Sequence, residues 1–139
     1  MTIINDSLNI DTHGGCDMVD ITDQLTRMLQ RYKLKNGQVL VFVPGSTAGV
    51  TTIEYEPGLK KDFSVFMERI IPKNAQYYHE ETWNDGNGHS HIRASLLGPS
   101  LVIPIGQGRL LLGTWQQVVV VDFDNRPRSR DLVVQFSGE

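Results

Sequence analysis

Apolar residues between positions 21 and 32 fall at Ile21, Leu25, Met28, Leu29 and Tyr32, a spacing that gathers them on one face of a helix. Asp20 stands in front as a cap for backbone N–H groups and Asn36-Gly37 stands behind as a stop, so an amphipathic helix is predicted between them. The same spacing returns in Leu59, Phe63, Phe66, Met67 and Ile70, until Pro72 ends it. A second core helix is expected there. The residues between the apolar positions differ in the two segments, so no repeat relates them.

Strand patterns fill most of the remainder. "QVLVFVP" (38–44) and "GVTTIEYE" (49–56) are rich in β-branched residues and are predicted to be neighbouring strands joined by a small polar loop. After residue 99, strand-like runs alternate with Gly-containing and Asn-Arg-Pro turns, which predicts a meander of four strands. "HSHIRASLLG" (89–98) admits two readings. As a strand it sets His89 and His91 on one face; as a short helix capped by Asn87 and ended by Gly98 it brings Asn87 and His91 together. Ile92 and Leu96, four residues apart, and the closing glycine favour the helix. No low-complexity linker divides the chain. The reading is one α+β domain over residues 1–139, an antiparallel sheet or sandwich with helices packed on one side.

Charge and composition narrow the partners. Against 16 acidic residues the 13 Lys and Arg leave a formal charge of -3, which provides no broad cationic surface, so neither nucleic acid nor membrane is expected as a partner. Cys16 is the single cysteine and has no disulfide partner within the chain. Met1 leads into a polar stretch without the basic and apolar regions of a signal peptide, and runs such as Val118–Val121 are too short to span a bilayer. A cytoplasmic protein is expected.

Candidate chemistry concentrates in "YYHEETWNDGNGHSHIRAS" (77–95). His79, His89 and His91, with Glu80, Glu81 and Asp85 close by, supply the imidazole and carboxylate donors that zinc and similar divalent ions take. The spacing matches no zinc finger and no HExxH helix; a surface loop whose histidines bond locally is the alternative. In "VPGSTAGVTT" (43–52), backbone N–H groups and the hydroxyls of Ser46 and Thr47 suit an anion, or else the glycines serve a tight connection. Glu54 projects a carboxylate from the following strand, which a solvated strand face explains equally well. Arg126, Arg128 and Arg130 alternate, which on an extended chain sets them on one side, either to grip phosphate or to protect a sheet edge.

"FVPGSTAGVTTIE", "DGNGHSHIRASLLGPS", "LLLGTWQQVVVVDFD" and the closing arginines resemble, in the same order and over nearly the whole chain, the YjbQ-like family of secondary thiamine-phosphate synthases. The resemblance implies a compact α+β fold, a homotrimer with sites close to subunit boundaries, and a metal or anion held by histidines near the HxxxS run. It sets the histidine of that run on His91, its asparagine on Asn87, its serine on Ser95, the upstream YxH histidine on His79, the strand glutamate on Glu54, and the GTWQ pair on Trp115 and Gln116. Many members carry a histidine where this chain has Gly45 and an aspartate where it has His89, so His89 is expected to make up for the missing imidazole. Catalytic roles are expected for His91, Glu54 and Asn87, and metal ligation for His79, His89 and His91. Ligand contacts are expected from Ser46, Thr47, Ser95, Trp115, Gln116, Arg126 and Arg128. The implied reaction joins the phosphate of a hydroxyethylthiazole to a pyrimidine released from its pyrophosphate. A divalent ion, zinc or else magnesium with a pyrophosphate substrate, suits the departing polyanion. Binding of a phosphorylated metabolite or metal without turnover, and metal-dependent hydrolysis, are the alternatives.

Overall fold

The computed structural model describes residues 1–139. In chain order the first half comprises β1 (Thr2–Thr12), β2 (Asp17–Asp20), α1 (Thr22–Tyr32), β3 (Gly37–Phe42), β4 (Ala48–Ile53) and α2 (Pro57–Ile70). The second half comprises α3 (His79–Thr82), α4 (Gly88–Leu97), β5 (Ser100–Gly106), β6 (Arg109–Leu110), β7 (Gln117–Asp122) and β8 (Arg128–Gly138). These strands form two antiparallel sheets, one in the order β1-β8-β3-β5-β6 and the other in the order β2-β7-β4.

The four valines of β7 explain the layering. Val118 and Val120 point between the sheets, where they meet Val39, Val41, Val134 and Phe136 of the larger sheet. Val119 and Val121 point the other way, into a second cluster with Met67 and Ala94 of α2 and α4. All four valines are fully buried, as a strand covered on both faces requires. Leu25, Met28 and Leu29 of α1 join the cluster between the sheets. The antiparallel α+β architecture, with helices packed to one side of the sheets, is therefore as expected.

Helix ends follow local chemistry. Asp20 Oδ1 accepts the backbone N–H of Thr22 at 2.9 Å. Lys33, at φ 58°, turns left-handed and donates its N–H to Leu29 O, so α1 closes before the expected Asn36-Gly37. The Glu56 carboxylate accepts the N–H groups of Gly58 and Leu59 at the start of α2, with Pro57 as its first residue. α2 gives less to the core than its pattern promises: Met67 is buried, while Phe66 and Ile70 are exposed. Residues 88–97 are helical, but α4 buries His89, Ser90, Arg93 and Ala94 and turns Ile92 and Leu96 outward. That inversion holds because Arg93 donates to Ile71 O through Nε at 3.0 Å and through Nη2 at 2.6 Å, and to Glu68 at 2.9 Å, which leaves its buried guanidinium paired.

Strand pairing departs from expectation. β3 and β4 are not neighbours, because β3 is occupied on both edges by β5 and β8 while β4 pairs with β7. Nor do the last four strands form a meander: β7 belongs to the smaller sheet, and β8 returns to the larger one between β1 and β3. The loop of residues 43–47 therefore crosses from one sheet to the other, tied to the end of β7 by Phe123 N–H donating to Thr47 O at 2.9 Å. At Gly49 a Cβ would stand 2.7 Å from Gly98 O, so only glycine lets the end of α4 approach β4 this closely. α4 thus brings its first turn beside the crossing loop.

Candidate metal centre and anion cleft

Where that loop, the start of α4 and the start of β8 converge there is a cleft of about 760 Å³, lined among others by Ser46, Thr47, His79, Asp85, His91 and Arg130. Its histidine wall is assembled by the turn between α3 and α4. Glu80 accepts the N–H of Gly86 at 2.7 Å and that of Gly88 at 2.9 Å, folding residues 83–88 back over α3. Asp85 consequently faces His79, with Oδ1 3.0 Å from His79 Nε2, and also accepts the Asn87 N–H at 3.0 Å. The Asn87 N–H, followed by His79, holds the Asp85 carboxyl below the usual carboxylate range. The rings of His79 and His91 lie 4.3 Å apart between centroids. One donor atom from each of His79, Asp85 and His91 falls within 4.8 Å of the others. Two imidazoles and one carboxylate converging in this way fit a divalent transition ion with open positions left for water or substrate.

The cationic part of the lining is heavily braced. Asp124 Oδ2 accepts Arg128 through Nε at 3.1 Å and Nη2 at 2.9 Å. Asp122 accepts Arg130 through Nε at 2.5 Å and Nη2 at 3.0 Å. Arg130 Nη2 also donates to Thr47 Oγ1 at 2.7 Å, and that hydroxyl donates to Asp124 at 2.9 Å. Burial alone would raise the Asp124 carboxyl; the bonds from Thr47, Arg128 and Asn87 outweigh it and hold Asp124 below its usual range. Each arginine thus spends one edge on a buried aspartate and keeps Nη1 free of protein partners.

Several expected residues meet here: His79, His91, Asn87, Ser46, Thr47 and Arg128 all line the cleft. Asn87 also acts as a strut, its Oδ1 accepting the Asn125 N–H at 3.0 Å and its Nδ2 donating to Asp124 at 3.4 Å.

Others do not meet here. His89 is 3 % exposed and absent from the donor group. A helix turns about 100° per residue, so a side chain two positions before His91 points to the far side of α4. Burial, then the Arg93 guanidinium, pushes its imidazole below the usual histidine range, and its Nδ1 has no partner. His89 therefore does not stand in for an imidazole at position 45. A Cβ on Gly45 would lie 2.7 Å from Arg130 Nη1, so a side chain at that position would require the Arg130 guanidinium to shift. The third donor is Asp85, which the sequence marked only as a nearby acid.

Ser95 donates its hydroxyl to His91 O at 2.8 Å, within its own helix, and lines a smaller recess that shares Ser46 and His91 with the cleft. Arg126 is exposed and outside the cleft. β4 runs away from the cleft, from Ala48 opposite Asp122 to Ile53 opposite Gln117. Glu54, Trp115 and Gln116 consequently sit at its far end, roughly 20 Å off at about 3.3 Å per strand residue. Trp83 and Arg130 line the cleft without having been placed among the ligand contacts.

The two-sheet α+β fold thus carries a cleft lined by the His79, Asp85 and His91 donor group and by Arg128 and Arg130. The chain belongs to the family described as UPF0047 protein YjbQ-like, whose model matches residues 6–139. It is 38% identical over 128 residues to a UPF0047 protein of Archaeoglobus fulgidus, across 92% of this chain and 97% of that one. Against a UPF0047 protein of Methanocaldococcus jannaschii it is 38% identical over 131 residues, covering 94% and 91%. A crystal structure of a YbjQ-like protein from Sulfolobus solfataricus P2 superposes with a TM-score of 0.92 at 31% identity, covering 99% of both chains. That of a hypothetical protein from Aeropyrum pernix K1 gives 0.91 at 32%, covering 98% and 99%. No helix is long and apolar enough to cross a membrane.

Proposed function

We propose that the protein is a metal-supported enzyme acting on phosphorylated small molecules, with thiamine-phosphate synthase-like transfer as its reaction: hydroxyethylthiazole phosphate joins a pyrimidine released from its pyrophosphate. The carrying observation is that His79, Asp85 and His91 converge in the same cleft as Arg128 and Arg130. A divalent ion held by those three donors, zinc by their chemistry or magnesium brought with pyrophosphate, would supply Lewis-acid neutralisation of a polyanion. The chain's own groups do the rest. The free Nη1 atoms of Arg128 and Arg130, whose guanidinium groups Asp124 and Asp122 hold in place, are donors for phosphate oxygens, as is the Ser46 hydroxyl. Asp85, ionised at neutral pH, can exchange its bond with His79 for the ion. His91 is positioned either to ligate or to move a proton at the reacting centre. The working form we propose is a cytoplasmic homotrimer.

The test joins metal analysis to one variant. Purified protein should carry up to one divalent ion per chain, and chelation should lower its melting temperature, since an ion bound only to the native state stabilises it by mass action. His91→Ala should lose the metal and reduce thiamine phosphate formation about a hundredfold or more, while His13→Ala, at an exposed position outside the cleft, should match the parent. Protein with no affinity for any divalent ion would overturn the metal reading. Metal binding without turnover on pyrimidine pyrophosphate would leave a binder in place of an enzyme.

A further inference from the structure

Trp83 is the one aromatic carbocycle lining a mostly polar cleft, which Val43 and Pro44 also line, and it is 70% exposed. Its backbone is not loose. It caps α3, and its N–H donates to His79 O at 3.1 Å, so the turn that presents a metal donor also presents the indole. No ring or cation of the chain stacks on it; the aromatic pairs are Tyr32–Phe136, Phe63–Phe123 and His79–His91, and the cations over rings are Arg31 and Lys60. The chain's other tryptophan, Trp115, lies at the far end of β4 and does not line the cleft. An exposed indole that lines the cleft, with no ring or cation of the chain stacked on it, offers a planar partner the stacking that the protein leaves unmade.

We infer that Trp83 is the platform on which the planar heteroaromatic ring of a phosphorylated substrate stacks while its phosphates reach Arg128 and Arg130. This rests on the proposed reading of the cleft and adds the residue that selects the ring. A volume of about 760 Å³ lies within the range that holds a ligand of this size. Ring recognition and anion recognition then fall to separate walls, and a variant can remove one without the other.

The experiment compares two probes in the presence of zinc or magnesium: the pyrimidine pyrophosphate, which has both parts, and inorganic pyrophosphate, which has no ring. In a Trp115→Phe background Trp83 is the one remaining indole. Its fluorescence should be quenched by the pyrimidine compound at concentrations where inorganic pyrophosphate changes it little. By calorimetry the ring should tighten binding about tenfold or more, within the span that base–aromatic stacking provides. Trp83→Leu should erase that margin and leave inorganic pyrophosphate binding as in the parent; Trp83→Phe should restore most of it. If Trp83→Leu keeps the full margin, Trp83 is not the platform and the metal and phosphate walls stand unaffected. If the parent binds neither probe, the phosphate reading falls and this inference falls with it.

Discussion

At the scale of single residues the cleft is governed by which carboxylates stay ionised. Asp124 has a fully buried side chain, and its pKa in the folded chain lies below the ordinary value of about 3.9 that it regains on unfolding. Between those two values the unfolded chain binds the extra proton. The stabilisation is therefore complete above about pH 4 and is lost as pH falls through the lower, folded value. Asp124→Asn should thus cost on the order of 2 kcal/mol at neutral pH, the worth of hydrogen bonds to a charged group. It should also flatten the acid limb of stability below about pH 4. Urea unfolding across pH 2 to 7 would read both; an acid limb of unchanged steepness would mean that Asp124 is not the titrating group. Arg128 is partly exposed and can turn to water, which keeps the loss below that of a sealed ion pair.

At the scale of elements, the turn between α3 and α4 decides whether the metal donors meet. Glu80→Ala removes the two Glu80 bonds to residues 83–88 at a half-buried position, so melting should change little while zinc affinity falls about tenfold to a hundredfold, as for other groups that hold a ligand in place. Competition with a chelating dye would measure it, and an unaltered affinity would show that the turn holds itself. Element by element, the sequence disclosed what depends on neighbours along the chain. α1 was legible from its spacing, and the valine run of β7 announced a strand. β1 was missed because Asp6, which accepts the Tyr32 hydroxyl, interrupts the inward row that Ile4, Leu8 and Ile10 would otherwise make plain. The pairing of β3 with β8 joins residues about a hundred positions apart, beyond any local pattern. The phase of α4 was hidden for a related reason: Arg93 is buried where Ile71 and Glu68, from α2 and its end, accept its hydrogen bonds. The histidine cluster was visible in composition, but choosing Asp85 over His89 required that phase.

At the scale of the molecule, the chain leaves two unlike apolar faces uncovered. On the outer face of the larger sheet Phe42 stands opposite Val133 and Leu40 opposite Val102, with Phe42, Val102 and Val133 each exposed. On the helical side Phe66, Ile70, Ile92 and Leu96 are exposed in the same way. A two-fold dimer joins one face to itself, whereas a closed ring joins two different faces, each copy offering one and receiving the other. Two unlike faces therefore suit a ring, and the homotrimer proposed above would be such a ring. Closure would also give the far end of the smaller sheet, with Glu54 and Gln116, a neighbouring cleft to meet. Light scattering should return three times the 15.6 kDa chain mass. Phe42→Asp places a charge where the ring would bury about 800 Å² on each partner, and should release folded monomers with the circular dichroism of the parent. If the parent is monomeric from micromolar to millimolar concentration, the ring is excluded; if Phe42→Asp remains trimeric, the larger sheet is not the face that closes it.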